Sequence, residues 1–237
     1  MSEAVMTTAA EPDFGSESEH PDDRCLLICG FQPVDGASAD ATERAMAQLA
    51  NADWAPAGIT ASYFFAPRNW NTATEAIDDM MRASRAGAVL LVATARRSPD
   101  FAIEMRAQNR VSITKPDSVG QLRPSGRIAS VGPAVARATA PVADMLHGLL
   151  DAGLKAHASS EAGDYICNYV LYRLLTEVAS DSGAPPVGCL RAPGLGADGQ
   201  PLNAQDEQLI DHIAHGVMAC ANVVADFIPG SREPAGV

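Results

Sequence analysis

One sulfur in this chain sits where a sulfur can do chemistry. Cys167 lies in "AGDYICNYVLYRLL" (162–175). Before it, "LKAHASS" (154–160) reads as a strand and "EAG" as a tight turn; the helix that follows, read over 164–181 with Asp164 as its cap, carries the cysteine in its first turn. A thiol there faces unpaired backbone N–H groups and the positive end of the helix dipole, which lower its pKa and raise its thiolate fraction. The same N–H groups can donate to an oxyanion, so strand, turn, nucleophile and helix form an arrangement suited to covalent acyl chemistry. Core packing competes with that reading. Ile166, Val170, Leu174 and Val178 make an apolar stripe, and Cys167 is only one step around the helix from it.

The other thiols have plainer readings. Cys220 falls on the stripe Leu209, Ile213, Val217, Cys220, Val224 and faces the core. Cys189, in "PVGCLRAP" (186–193), is expected in the core of a strand whose alternation sets Arg191 opposite Leu190. The five cysteines are an odd number without C-x-x-C spacing or interleaved histidines, which argues against a disulfide framework or a structural zinc site. His212 and His215 are three apart but lack a carboxylate pattern that would make them metal ligands, and no metal or cofactor is expected. His157, at the end of the strand leading to the cysteine turn, is a candidate proton carrier by position.

The elements that must position these residues alternate. Strand 24–31 ("RCLLICGF"), helix 38–50, strand 59–67, helix 72–87 ending at a glycine, and strand 88–94 predict a parallel or mostly parallel sheet with helices on both faces. Residues 101–127 read as hairpin or loop. Helix 141–153, the two strands around Cys167 and helix 204–227 complete the set, giving one domain over 24–228. The acidic stretch 1–23 and the last residues, 229–237, have the composition of flexible tails. The chain carries 17 Lys and Arg against 29 Asp and Glu, a net charge of −12 that disfavours a nucleic-acid partner. No apolar run reaches the roughly 18 residues of a membrane span, and a cytoplasmic location is expected.

The segment around Cys167 resembles the active-cysteine segment of the pyroglutamyl peptidase I (pyrrolidone-carboxylate peptidase) family, approximately A-G-T-F/Y-V-C-N, through Ala162, Gly163, Tyr165, Cys167, Asn168 and the downstream Tyr172. "LLICGFQPVDG" is similar to the family's L-x-T-G-F-x-P-F-G-G through Gly30, Phe31, Pro33 and Gly36. "AIEMRAQN" resembles I-E-R-V-A-I-N through Ile103, Glu104, Ala107 and Asn109, and "KPDSVG" follows like I-P-D-N-x-G. The resemblance runs in the family's order from about 24 to 227. It implies a three-layer α/β/α sandwich with a mostly parallel twisted sheet, a homo-oligomer (dimer or tetramer), and a small-molecule or peptide substrate.

The family's mechanism uses a cysteine nucleophile, a histidine base and a glutamate that orients it. Carried over, Cys167 is the nucleophile and Glu104 the acidic member, but the family's G-F-I-H-V-P segment corresponds to "GCLRAP", so Arg191 stands in the histidine's place. A guanidinium stays protonated and cannot take the thiol's proton; it can hold a thiolate, bind a carboxylate or pair with Glu104. Around the pocket the resemblance implies substrate contacts from Phe31, Val34, Tyr165, Ile166, Asn168 and Lys115. Val34 replaces the family's second aromatic, and Thr114 followed by Lys115 replaces the arginine that assists the oxyanion. The function expected is a cysteine hydrolase or acyl-transfer enzyme acting on an amide, lactam, thioester or related acyl group with altered specificity. The alternatives are a catalytically inactive binding or scaffold member and a cyclase using the same thiol.

Overall fold

The strand "CLLICGF" is buried at every position because a parallel strand in mid-sheet is covered on both faces, and its apolar run is continuous for that reason. In the computed structural model, which describes residues 25–33, 40–95, 97–178, 184–194, 203 and 206–228, this is β1 (Cys25–Phe31). It is followed by α1 (Ala41–Asn51), β2 (Thr60–Ala66), α2 (Ala73–Ala83), β3 (Ala86–Ala95), β4 (Phe101–Glu104), β5 (Arg106–Gln108) and β6 (Val135–Arg137). Then come α3 (Val142–Asp151), β7 (Ala156–Ser159), α4 (Ile166–Val178), β8 (Val187–Pro193) and α5 (Glu207–Ala225). The expected tails and Val34 lie outside the described residues.

Six strands form one sheet in the order β2-β1-β3-β8-β4-β7, and four of its five pairings are parallel, the exception being β4 against β8. Alternation along each strand sorts the core into two layers. Leu26, Ile28, Leu90, Val92, Leu190 and Ala192 pack with α1, α3 and α5. Leu27, Cys29, Val89, Leu91, Val187 and Cys189 pack with α2 and α4. The result is the expected three-layer α/β/α sandwich. Among the described residues no helix is long and apolar enough to cross a membrane.

Two elements differ from the sequence reading. The helix read over 72–87 stops at Ala83: Arg85 takes a left-handed backbone at φ 49° and β3 begins at Ala86, so Gly87 belongs to a strand. Gly87 is needed for space, since a Cβ there would lie 2.5 Å from Ile228 Cγ2. Within 101–127, read as hairpin or loop, Phe101–Glu104 is instead a strand inside the main sheet, and β5 pairs with the distant β6. Both runs are too short for periodicity to reveal them. A second close approach seats α3 on β8, where a Cβ on Gly188 would fall 2.9 Å from Ala140 Cβ and 3.2 Å from Met145 Sδ.

Candidate active site

The turn after β7 delivers the chain to α4 through Gly163, whose φ is +88°. Asp164, expected to cap the helix, lies two residues before it and its carboxylate is instead held by Lys115 Nζ at 2.6 Å. Cys167 is the second residue of α4 and half-buried. Its Sγ lies 3.7 Å from Cys189 Sγ. Cys189 is core, as expected, yet it also touches the candidate nucleophile: alternation along β8 turns Cys189 and Arg191 to the α4 side and Leu190 and Ala192 to the other.

Strand pairing brings in the acidic residue. Ala102 is the partner of Arg191 and Ile103 of Leu190, so Glu104, two residues beyond Ala102, shares the face of Arg191. Arg191 Nη1 donates to Glu104 Oε1 at 3.2 Å and to the Glu161 carbonyl at 3.0 Å. Glu104 is fully buried, and its Oε2 has no hydrogen-bond partner; neither has Arg191 Nε. Cys167, Glu104 and Arg191 therefore come from three distant stretches of chain into one cluster.

The electrostatics of the two sulfurs diverge. The hydrogen bond from Cys189 lowers the Cys167 thiol pKa, Arg191 and more weakly Arg68 add to that, and burial with the Glu104 charge opposes it; the net direction is down. Cys189 moves well up, through that same hydrogen bond and then burial. The two thiols therefore titrate as a coupled pair, with Cys167 the more acidic member. Burial pushes Arg191 down, but the Cys167, Cys189 and Glu104 charges push it up and prevail, so it stays a cation. Cys29 and Cys220, by contrast, are pushed far up by burial alone.

Cys167 opens onto a cleft of about 960 Å³ at the C-terminal ends of β1 and β3. Phe31, Lys115, Tyr165 and Ile166 line it, as does Arg68. Tyr165 is fixed by its hydroxyl, which donates to the Pro116 carbonyl at 2.8 Å, and by an edge contact with Trp70 at 5.2 Å. Arg68 sits over the Phe31 ring at 5.8 Å and binds Glu43 at 2.5 Å. His157 lines the cleft too, on the same face and in the same row as Arg191 with Ala102 between them. Asn168 is fully buried, accepts from Gln108 N–H and donates to the Gln108 and Arg110 carbonyls, each at 2.9 Å. Both amide hydrogens and the oxygen thus clamp the chain beside β5. Among the described residues no three His, Cys, Asp or Glu side chains converge as a metal site requires. Sequence reasoning missed the Cys189 contact and the Arg68 charge; the first was recoverable from alternation along β8, whereas the second needs the tertiary fold.

Comparison with known proteins adds an independent line. The family model for pyroglutamyl peptidase matches residues 24–220. The pyrrolidone-carboxylate peptidase of Chromobacterium violaceum is 30% identical over 172 residues, covering 73% of this chain and 79% of that relative. Pyrrolidone-carboxylate peptidase 1 of Photorhabdus laumondii is 31% identical over 156 residues, 66% of this chain and 70% of that relative. In structure the chain is similar to pyroglutamyl peptidase I of Bacillus amyloliquefaciens (TM-score 0.72, 21% identity, 85% of this chain and 96% of that one). It is likewise similar to the pyrrolidone carboxyl peptidase of Thermococcus litoralis (TM-score 0.74, 21% identity, 90% and 98%).

Proposed function

Because this chain belongs to the pyroglutamyl peptidase family, we propose that it is a thiol acyl-transfer enzyme with Cys167 as nucleophile, Arg191 as a fixed cation and Glu104 as the residue that orients Arg191. The observation that carries this reading is the sulfur pair beside Arg191, an arrangement that lowers the Cys167 thiol pKa without a histidine. Attack by a preformed thiolate needs no general base in the first step. The first-turn N–H groups of α4 stabilise the oxyanion of the tetrahedral intermediate, and collapse leaves a thioester on Cys167.

Departure of the leaving group is where Arg191 matters. An amine must be protonated to leave, and a guanidinium cannot cycle a proton. A thiolate leaves without that help. We therefore infer a preference for acyl groups with good leaving groups, thioesters before amides, while the pyroglutamyl acyl group of the relatives remains the first acyl portion to test. A binding or scaffold role is the second reading, favoured by the Arg191–Glu104 bond, since such a buried pair can persist for structural reasons alone.

The deciding experiment is iodoacetamide labelling of each cysteine against pH, read by peptide mass, with parallel turnover of a pyroglutamyl thioester and a pyroglutamyl amide. Fast labelling of Cys167 below the ordinary thiol range of about 8.5, with thioester turnover exceeding amide turnover, is the expected result. Labelling of Cys167 as slow as that of Cys220 defeats the enzymatic reading. Faster turnover of the amide overturns the preference and leaves a peptidase with an unassigned proton donor.

A further inference from the structure

Two sulfurs 3.7 Å apart, one opening onto the cleft and the other fully buried behind it, are also the two halves of a disulfide. We propose that Cys167 and Cys189 form a reversible oxidation site for hydroperoxides, with Cys167 as the attacked sulfur and Cys189 as the resolving one. This rests on Cys167 being the reactive thiolate but not on the identity of the acyl substrate.

The chemistry follows from the placement of the groups. The Cys167 thiolate attacks the distal oxygen of a hydroperoxide; an S–O bond forms, the O–O bond breaks, and alkoxide or hydroxide leaves, giving a sulfenic acid on Cys167. The Cys189 sulfur then attacks the sulfenic sulfur: an S–S bond forms, the S–O bond breaks, and the sulfenic oxygen departs as water after taking the Cys189 proton. Two thiol equivalents lose two electrons and the peroxide gains them. The peroxide enters by the same cleft that exposes Cys167, whereas Cys189 is fully buried behind it, so the order of attack is set by access. Closing the gap from 3.7 Å to a bonding distance of about 2 Å asks for a side-chain movement within a helix turn lying on a strand. The disulfide would cap the nucleophile and remove the thiolate, silencing the site until a dithiol restores it.

The surroundings support a dedicated pair. Cys29 and Cys220 are buried thiols whose pKa values burial raises. They serve as internal controls for nonspecific oxidation.

The test treats the full-length protein with hydrogen peroxide and then, after quenching, with iodoacetamide before and after dithiothreitol, each cysteine being read by peptide mass. Expected is a cross-linked peptide joining Cys167 to Cys189, a fall in Cys167 labelling of more than about tenfold, and its recovery with dithiothreitol. In Cys189→Ser, which keeps a hydroxyl donor for Cys167 but no second sulfur, the cross-link is absent and Cys167 passes to a sulfinic acid that dithiothreitol does not reverse. Cys189→Ala provides the same reading where the serine variant folds poorly. A sulfinic Cys167 in the wild type without the cross-link, or equal recovery in wild type and Cys189→Ser, overturns the proposal. Fast labelling of the untreated protein in that same experiment would leave the acyl-transfer reading standing.

Discussion

The two faces of the central sheet are built by the same strands and serve opposite ends. On the α1, α3 and α5 side the inward positions from Leu26 to Ala192 form an apolar layer, closed at the end of β3 by Thr94, which bonds Asp40 and Thr42. On the α2 and α4 side the alternation starts in the same way, with Val187 and Cys189, and then continues into Arg191 beside Glu104, two charges laid on the sheet under the start of α4. Leu190 and Arg191 are consecutive residues facing different solvents, one a hydrocarbon layer and the other a polar cleft. The lesson is that this charged cluster costs the fold little in pattern: the two charges stand on neighbouring strands, and each offsets the other.

Breaking the comparison starts with the sulfur itself. Cys167→Ala is expected to lower acyl turnover by about a thousandfold or more while urea unfolding stays near wild type; turnover within tenfold of wild type would move the nucleophile elsewhere. Next come the consecutive strand residues. Arg191→Met leaves Glu104 buried without its cation and should cost about 3–5 kcal/mol, with Cys167 labelling moved to higher pH. Leu190→Ala should cost a comparable amount, about 2–5 kcal/mol, with the labelling midpoint unmoved. If both variants shift the midpoint alike, the two faces are not independent.

A smaller effect tests the proton arrangement. Cys167 has a folded-state pKa below its unfolded value, so it contributes stability that is full above the unfolded value of about 8.5 and is lost as pH falls through the folded one. Cys189→Ala removes the largest cause of that depression. The labelling midpoint should rise toward the ordinary range, and the stability gained between neutral and alkaline pH should shrink; an unchanged midpoint would assign the depression to Arg191 alone. The smallest effect lies at the mouth of the cleft, where Asp40 caps α1 through Glu43 N–H at 3.0 Å and accepts from Thr94 at 2.8 Å. Asp40→Ala should cost about 1 kcal/mol, measurable in urea, with turnover nearly unchanged.

The layered fold was legible because long apolar strands and periodic helices announce themselves, as β1, β3 and α5 do. Phe101–Glu104 did not, since four residues give too short a pattern, and its place in the sheet depends on pairing with β7 and β8. The candidate site was legible where a motif carried it, as with Cys167 and Glu104. The backbone clamp by Asn168 was not legible, because a motif gives a residue's position and not the groups it bonds. The sulfur at position 189 was passed over because it takes the place of an ordinary core residue, although alternation along β8 sets it on the face of Arg191.

Gly188, one residue ahead of that sulfur, acts in mechanical terms as a spacer of minimum thickness. Its missing side chain lets Ala140, just ahead of α3, and Met145 of α3 press β8 from behind, 2.9 Å and 3.2 Å from where a Cβ would stand. Any methyl group inserted there would wedge the strand forward, toward α4. The gap between the two sulfurs is thus gauged from the opposite side of the sheet, by a residue that no substrate reaches.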